Sequence, residues 1–174
     1  FVEVKGKFSY FSEDPSAKVV PERESVVRET DIVIVGGGFG GLLAAARLNA
    51  MGYKDITVVE EGADFGGTWY WNRYPGAQCD IESYVYMPLL EEVGYMPSEK
   101  YAHADEIFEH SRSIGKHFGL YGNALFQTRM VDAEWKEDSS SWKVLTDRGD
   151  SLHTKFLVLA TGNLTKPKLP GIPG

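Results

Sequence analysis

The sequence predicts an α/β fold, a Rossmann-like parallel sheet with an antiparallel β-meander insert, and three observations carry that prediction. Ile32-Val33-Ile34-Val35 is a short β-branched run closed by glycines, the pattern of a strand buried on both faces of a parallel sheet. Gly36-Gly37-Gly38-Phe39-Gly40-Gly41 follows at once and opens a Leu/Ala-rich stretch, Leu42 to Met51, that reads as a helix. Ile56-Thr57-Val58-Val59 is a second β-branched run ending at Glu60, so strand, glycine turn, helix and strand occupy the ~30 residues of one βαβ unit.

Before that unit, residues 1–29 mix Gly, Pro, Ser and charges without sustained period, as in Pro21-Glu22-Arg23-Glu24, and read as an N-terminal arm. The fold proper is expected from Asp31, in a domain covering 30–166. Gly52, just past Met51, suits a left-handed helix cap. Gly62 to about Tyr101 has no regular period but is rich in aromatics, which marks a functional rather than a disordered segment. Ala104, Ile107, Phe108, Ser111, Ile114 and Phe118 then share one helical face, with Gly119 as the stop.

Residues 124–155 read as the meander: an alternating Val131-Ala133-Trp135 strand, a turn at Ser139 to Ser141, a strand from Trp142 to Thr146 and a turn at Arg148-Gly149-Asp150. Phe156 to Ala160 reads as another buried strand, ending at Thr161-Gly162. Pro167, Pro170 and Pro173 mark 167–174 as a linker leaving the domain.

Composition narrows the partners. A formal charge of −7 and a pI near 5.1 argue against nucleic acid, which requires a positive field. Anions must instead be held locally, by backbone N–H groups at a helix N-terminus. No wholly apolar run is longer than Phe156–Ala160, far below the roughly 18 residues of a membrane span. Cys79 is the single cysteine, so no intrachain disulfide or Cys-rich zinc site can form. With no signal pattern at the opening, a cytoplasmic protein is expected. His103, His110 and His117 recur every seven residues, about 10.5 Å apart along a helix, too far for one metal ion. They read as a partly solvated stripe, and no metal site is expected.

The glycine turn carries the chemistry. It holds G-x-G-x-x-G between a strand and a helix. Gly36 permits the tight turn, Gly38 lets a pyrophosphate touch the backbone, and Gly41 allows close helix–strand packing. Phe39 and Gly40 complete the candidate cofactor contacts there. Glu60 lies 19 residues beyond Gly41, where a carboxylate accepts hydrogen bonds from the adenosine ribose and repels a 2′-phosphate, which points to FAD or NAD rather than NADP. A second glycine turn, Gly66-Gly67-Thr68-Trp69, would pass close to a long ligand and set an aromatic ring beside a flavin, favouring FAD. Asp80 also reads as the N-cap of a helix at Ile81-Glu82-Ser83. Arg73 reads as structural cation–π packing among Trp71 and Tyr74. Cys79 reads as a small buried residue, since a flavin disulfide reductase needs a second cysteine.

The run from Gly66 to Ser83, with its Tyr74-Pro75-Gly76 and Cys79-Asp80 elements, is similar to the corresponding segment of the Baeyer–Villiger monooxygenases, a family of flavoenzymes. The resemblance extends from about Asp31 to the end and leaves out the first thirty residues. It implies the two-dinucleotide-binding-domain flavoprotein fold, tightly bound FAD, NADPH as co-substrate, and conversion of ketones with O2 to esters or lactones through a C4a-peroxyflavin. Thr68 and Trp69 would then line the flavin, and Gly67, Tyr86 and the backbone of Val131 would contact the FAD. Asp80 would take a catalytic part near the reactive side, positioning an arginine absent from this chain. The family's second G-x-G-x-x-G and its Phe-x-Gly-x-x-x-His-x-x-x-Trp stretch do not occur in the 174 residues. The expectation is therefore that the NADPH domain is absent from this chain and that the rest of the enzyme exists as a further segment or a second chain. A related monooxygenase acting on N or S centres, and a non-catalytic FAD- or NAD-binding piece, are the alternatives.

Overall fold

One mixed sheet organises the molecule, with strands in the order β3-β2-β1-β6-β5-β4. They are β1 (Val27–Val35), β2 (Ile56–Val59), β3 (Ala124–Leu125), β4 (Met130–Lys136), β5 (Ser141–Thr146) and β6 (Ser151–Leu159). The computed structural model describes residues 4–14, 16–17 and 19–172; the outermost residues of the expected arm and linker, 1–3 and 173–174, lie outside the described residues, as do 15 and 18.

β1 pairs in parallel with β2 on one side and β6 on the other. Its residues Ile32 to Val35 are buried, as a β-branched run flanked by two strands must be. Ile32 and Ile34 face Leu42, Ala45 and Ala46 of α1 (Phe39–Ala50), together with Phe65 and with Ile114 of α5 (Ala104–His117). Val33 and Val35 face the other way and pack with Val59, Val144 and Leu152. The helices thus pack on one face of the sheet, while side chains of the meander strands β5 and β6 meet Val33 and Val35 on the other.

α1, β2 and α5 stand close to where the sequence places them. Gly52 has φ +100° and Gly119 φ +66°, the left-handed values expected past a helix end. The segment from Gly62 to Tyr101 contains three single-turn helices, α2 (Thr68–Trp71), α3 (Ser83–Tyr86) and α4 (Leu90–Val93). Its Trp69, Ala77, Cys79 and Met87 pack with Ala102 and with Ile107 of α5 in a second cluster.

Four expectations change. β1 begins at Val27 rather than near Asp31, because Val27 to Thr30 pair with Ser151 to Thr154, a ladder invisible to local pattern through Arg28 and Glu29. The end of the meander and the expected strand at 156–160 are a single strand, β6. Phe156 and Leu159 are 58% and 62% exposed, so this strand is not buried on both faces; its ladder to β5 stops at Thr154, leaving β1 as its only flanking strand among the described residues. Finally, His110 is only 2% exposed, which breaks up the solvated histidine stripe: His103 and His117 are exposed, while His110 points into the protein. No helix among the described residues is long and apolar enough to cross a membrane.

Candidate functional site

The site forms where β1 stops. Gly36 turns the chain at φ +108°, and a Cβ there would stand 2.4 Å from the carbonyl oxygen of Ala160, at the end of the neighbouring strand. A Cβ on Gly41 would stand 1.8 Å from the Gly36 carbonyl oxygen, so α1 approaches the turn as closely as glycine allows. Gly38 is the N-cap of α1 and supplies no side-chain cap, leaving the N–H groups of the first turn available to an outside acceptor.

The second glycine turn lies against the first. Gly66 donates its N–H to the Gly37 carbonyl at 2.9 Å. A Cβ on Gly67 would come within 2.6 Å of the Gly38 Cα, and one on Gly38 within 3.2 Å of the Gly67 Cα. Gly67 has φ +53°, the left-handed region that glycine adopts without strain.

Glu60 closes one end. It is 5% exposed, and its carboxylate accepts the Gly62 N–H at 2.5 Å and the Gly37 N–H, tying β2 to the phosphate-type turn. Burial pushes its carboxyl above the usual range; the two N–H donors oppose the rise, and the charges of Glu61 and Asp14 add to it. At the other end, the Trp69 indole N–H donates to the Tyr86 hydroxyl at 2.8 Å, and the Phe39 and Tyr86 rings meet at 5.5 Å. Burial raises the Tyr86 phenol, the Trp69 donation opposes this, and the nearby Cys79 and Asp80 reinforce it.

These residues line a cleft of about 420 Å³. Gly36, Gly38, Phe39, Gly40, Glu60, Gly67, Thr68, Trp69 and Tyr86, all singled out by the sequence, lie on its wall. Gly41 does not: it serves the packing of α1 behind the wall. Asp80 is exposed and outside the lining, and it is not a helix N-cap either, because α3 starts at Ser83 with Glu82 in the cap position. Val131 also stands outside the lining and is 54% exposed. Met130 pairs with Thr146 and Asp132 with Leu145, so Val131 is the extra residue of a β-bulge.

Sequence reasoning missed Thr128, Arg129 and Met130, which complete the wall beside Glu60. Their only local signal is the alternating strand that follows, and the bulge at Val131 shifts which residues face the cleft. Arg73 does make cation–π contacts, but with Tyr70 at 4.9 Å and Phe108 at 4.8 Å rather than with Trp71 and Tyr74, because α5 brings Phe108 alongside. Cys79 is buried, as expected. Among the described residues, no group of three or more His, Cys, Asp or Glu side chains could hold a metal ion.

The geometry suits an extended dinucleotide: a carboxylate for a ribose at one end, open backbone N–H groups for a diphosphate at the centre, and aromatic rings for a planar heterocycle at the other end.

Comparison with known proteins agrees. The family described as an NAD(P)-binding Rossmann-like domain matches residues 34–93. A Baeyer–Villiger monooxygenase of Stachybotrys chlorohalonatus is 55% identical over 170 residues, 98% of this chain and 27% of that protein. Neopentalenolactone D synthase of Streptomyces avermitilis is 51% identical over 175 residues, 100% of this chain and 29% of that protein. Among solved structures, the polycyclic ketone monooxygenase of Thermothelomyces thermophila superposes with a TM-score of 0.86 at 38% identity, covering 98% of this chain and 29% of that one. A steroid monooxygenase bound to NADP superposes at 0.74 and 39% identity, over 84% of this chain and 29% of its own. The chain spans less than a third of the length of the relatives it matches.

Proposed function

From the chain's homology to Baeyer–Villiger monooxygenases, we propose that it is the FAD-binding segment of an NADPH- and O2-dependent flavin monooxygenase that converts ketones to esters or lactones. The observation that carries this reading is the backbone contact between Gly38 and Gly67, which joins two glycine turns into one continuous wall.

The residues fit FAD. The uncapped first turn of α1 receives the diphosphate, and Gly36, Gly38 and Gly40 put no Cβ in its way. Glu60 has one oxygen on the Gly62 N–H and the other on the Gly37 N–H, and its remaining lone pairs accept the hydroxyls of the adenosine ribose. The same charge repels a 2′-phosphate, so NADPH is assigned to a different site. Phe39, Trp69 and Tyr86 exclude water around the heterocycle. Bound FAD, once reduced, supplies the electrons that activate O2 for insertion beside the ketone carbonyl. Asp80, exposed and electrostatically coupled to Tyr86, is assigned the positioning of an arginine from elsewhere in the enzyme. The bulged backbone of Val131, unpaired on β5, is assigned a contact at the adenine end. A cytoplasmic setting and a further segment or second chain that completes the enzyme belong to the same reading.

The test is product analysis of the complete enzyme with NADPH and O2, offered a cyclic ketone and a thioether in parallel. The proposal expects lactone from the ketone. Sulfoxide with no lactone would move the enzyme to the N- and S-oxidising monooxygenases.

A further inference from the structure

We infer that Arg23, in the arm ahead of β1, is a positioning residue for the nucleotide end of the cleft, acting through Asp150 and Thr128 on the wall at Thr128 to Met130. The inference rests on the proposal that this cleft holds the adenosine half of FAD.

Asp150 follows the turn between β5 and β6, and its side chain is fully buried. Its carboxylate accepts both terminal nitrogens of the Arg23 guanidinium at 2.6 Å each, the Val26 N–H at 2.8 Å and the Thr146 hydroxyl at 2.6 Å. A planar, two-pronged donor meets a carboxylate side by side here, a geometry lysine cannot reproduce. The second terminal nitrogen of Arg23 also donates to the Thr128 hydroxyl oxygen at 3.2 Å.

Thr128 is thereby held from three sides. Its N–H donates to the Glu60 carbonyl at 3.0 Å, its hydroxyl donates to the Phe126 carbonyl at 2.8 Å, and Arg23 approaches the same oxygen from outside. The β5–β6 turn grips the next residue: the Arg129 N–H donates to the Asp147 carboxylate at 2.9 Å, and the Asp147 N–H donates to the Arg129 carbonyl at 2.9 Å. Arg23 is the link between these two supports, since it bonds Asp150 behind the turn and Thr128 on the wall. The arm, which the sequence reads as a lead-in, therefore contributes a side chain to the support of the site. Removing the guanidinium would strip a buried carboxylate of two donors and release Thr128 on its outer side.

The experiment uses the complete enzyme and three variants: Arg23→Lys, Arg23→Met and Thr128→Val, the last of which keeps the Arg23–Asp150 pair. Affinities for FAD and for ADP, which fills only the adenosine half, are measured well below each melting temperature, together with amide exchange at Thr128 and Arg129. The inference expects both affinities to fall by a common factor of roughly tenfold, the scale of a lost charge-assisted hydrogen bond, in Arg23→Met and Thr128→Val, with faster amide exchange on the wall. Arg23→Lys should recover only part of the loss. A lowered melting temperature with unchanged ADP and FAD affinity would show that the pair serves stability alone and would overturn the inference. If Arg23→Met does not fold, Thr128→Val decides. A wild-type enzyme that binds neither FAD nor ADP would instead bring down the functional reading itself.

Discussion

Gly67 meets Gly38 backbone to backbone: a methyl group on Gly67 would stand 2.6 Å from the Gly38 Cα. This contact sets the spacing between the α1 N-terminus and the aromatic end of the cleft, and no side chain larger than hydrogen fits between them. It is the structural reason the chain spends glycines at both turns.

Gly67→Ala is therefore expected to do two kinds of damage. The substituted residue would sit at φ +53° and press on Gly38, costing about 1–3 kcal/mol of stability. Because the displaced backbone borders the wall assigned to the diphosphate, FAD affinity should fall more than stability does. Thermal unfolding and an FAD titration of the same sample separate the two effects. Gly119→Ala, at a positive φ with open space around it, provides the control for strain alone.

Glu60→Gln keeps the size of the side chain but leaves one oxygen where two now accept the Gly37 and Gly62 N–H groups. FAD affinity is expected to drop by about 1.5–3 kcal/mol, the value of a hydrogen bond to a charged group. Discrimination against a 2′-phosphorylated nucleotide should relax at the same time. Competition titrations with ADP and with 2′-phospho-ADP read both changes.

Tyr86→Phe would leave the Trp69 indole N–H, now 2.8 Å from the Tyr86 hydroxyl, without its acceptor. A loss of about 1–3 kcal/mol is expected for a partly buried donor left unpaired. Tryptophan emission should shift, and the variant should bind FAD more weakly than ADP relative to wild type, since Tyr86 lies at the end assigned to the heterocycle.

His110 gives a pH prediction with a definite sign. Its Nε2 lies 2.7 Å from the Pro88 carbonyl, its Nδ1 is buried without a partner, and its ring packs on Tyr95 and edge-on to Phe39. Burial lowers its pKa below 6.5, with the Pro88 carbonyl and Glu106 opposing. The unfolded chain therefore binds this proton more readily than the folded one. The histidine's stabilising share is complete above about pH 6.5 and is lost as pH falls toward the folded pKa. Glu60, whose carboxyl is raised, acts in the opposite direction, so the comparison needed is wild type against His110→Phe. The difference in their denaturation midpoints should change between pH 7 and pH 5; parallel curves would refute the assignment.

The sequence made the βαβ unit and the G-x-G-x-x-G turn legible because both depend on neighbours close along the chain. Gly36, Gly38, Phe39 and Gly40, with Glu60, could be read in order and stand around the cleft, with Gly41 packing α1 behind them. The Gly66 to Trp69 turn was legible for the same reason. What escaped depends on pairing across the fold. The start of β1 at Val27 needs Ser151, the wall at Thr128 to Met130 needs the bulge opposite Thr146 and Leu145, and Arg23 finds Asp150 across 127 positions. His110 looked like one of three equivalent histidines because period alone cannot say which turn of a helix is covered.

Occupancy of this cleft by FAD is read by an equilibrium titration of the protein with FAD, followed by quenching of flavin fluorescence. Binding is expected to saturate at one FAD per chain, to be competed by ADP and to be weakened by Gly67→Ala and Glu60→Gln. A wild-type titration that never saturates, or one indifferent to ADP and to both substitutions, would contradict it.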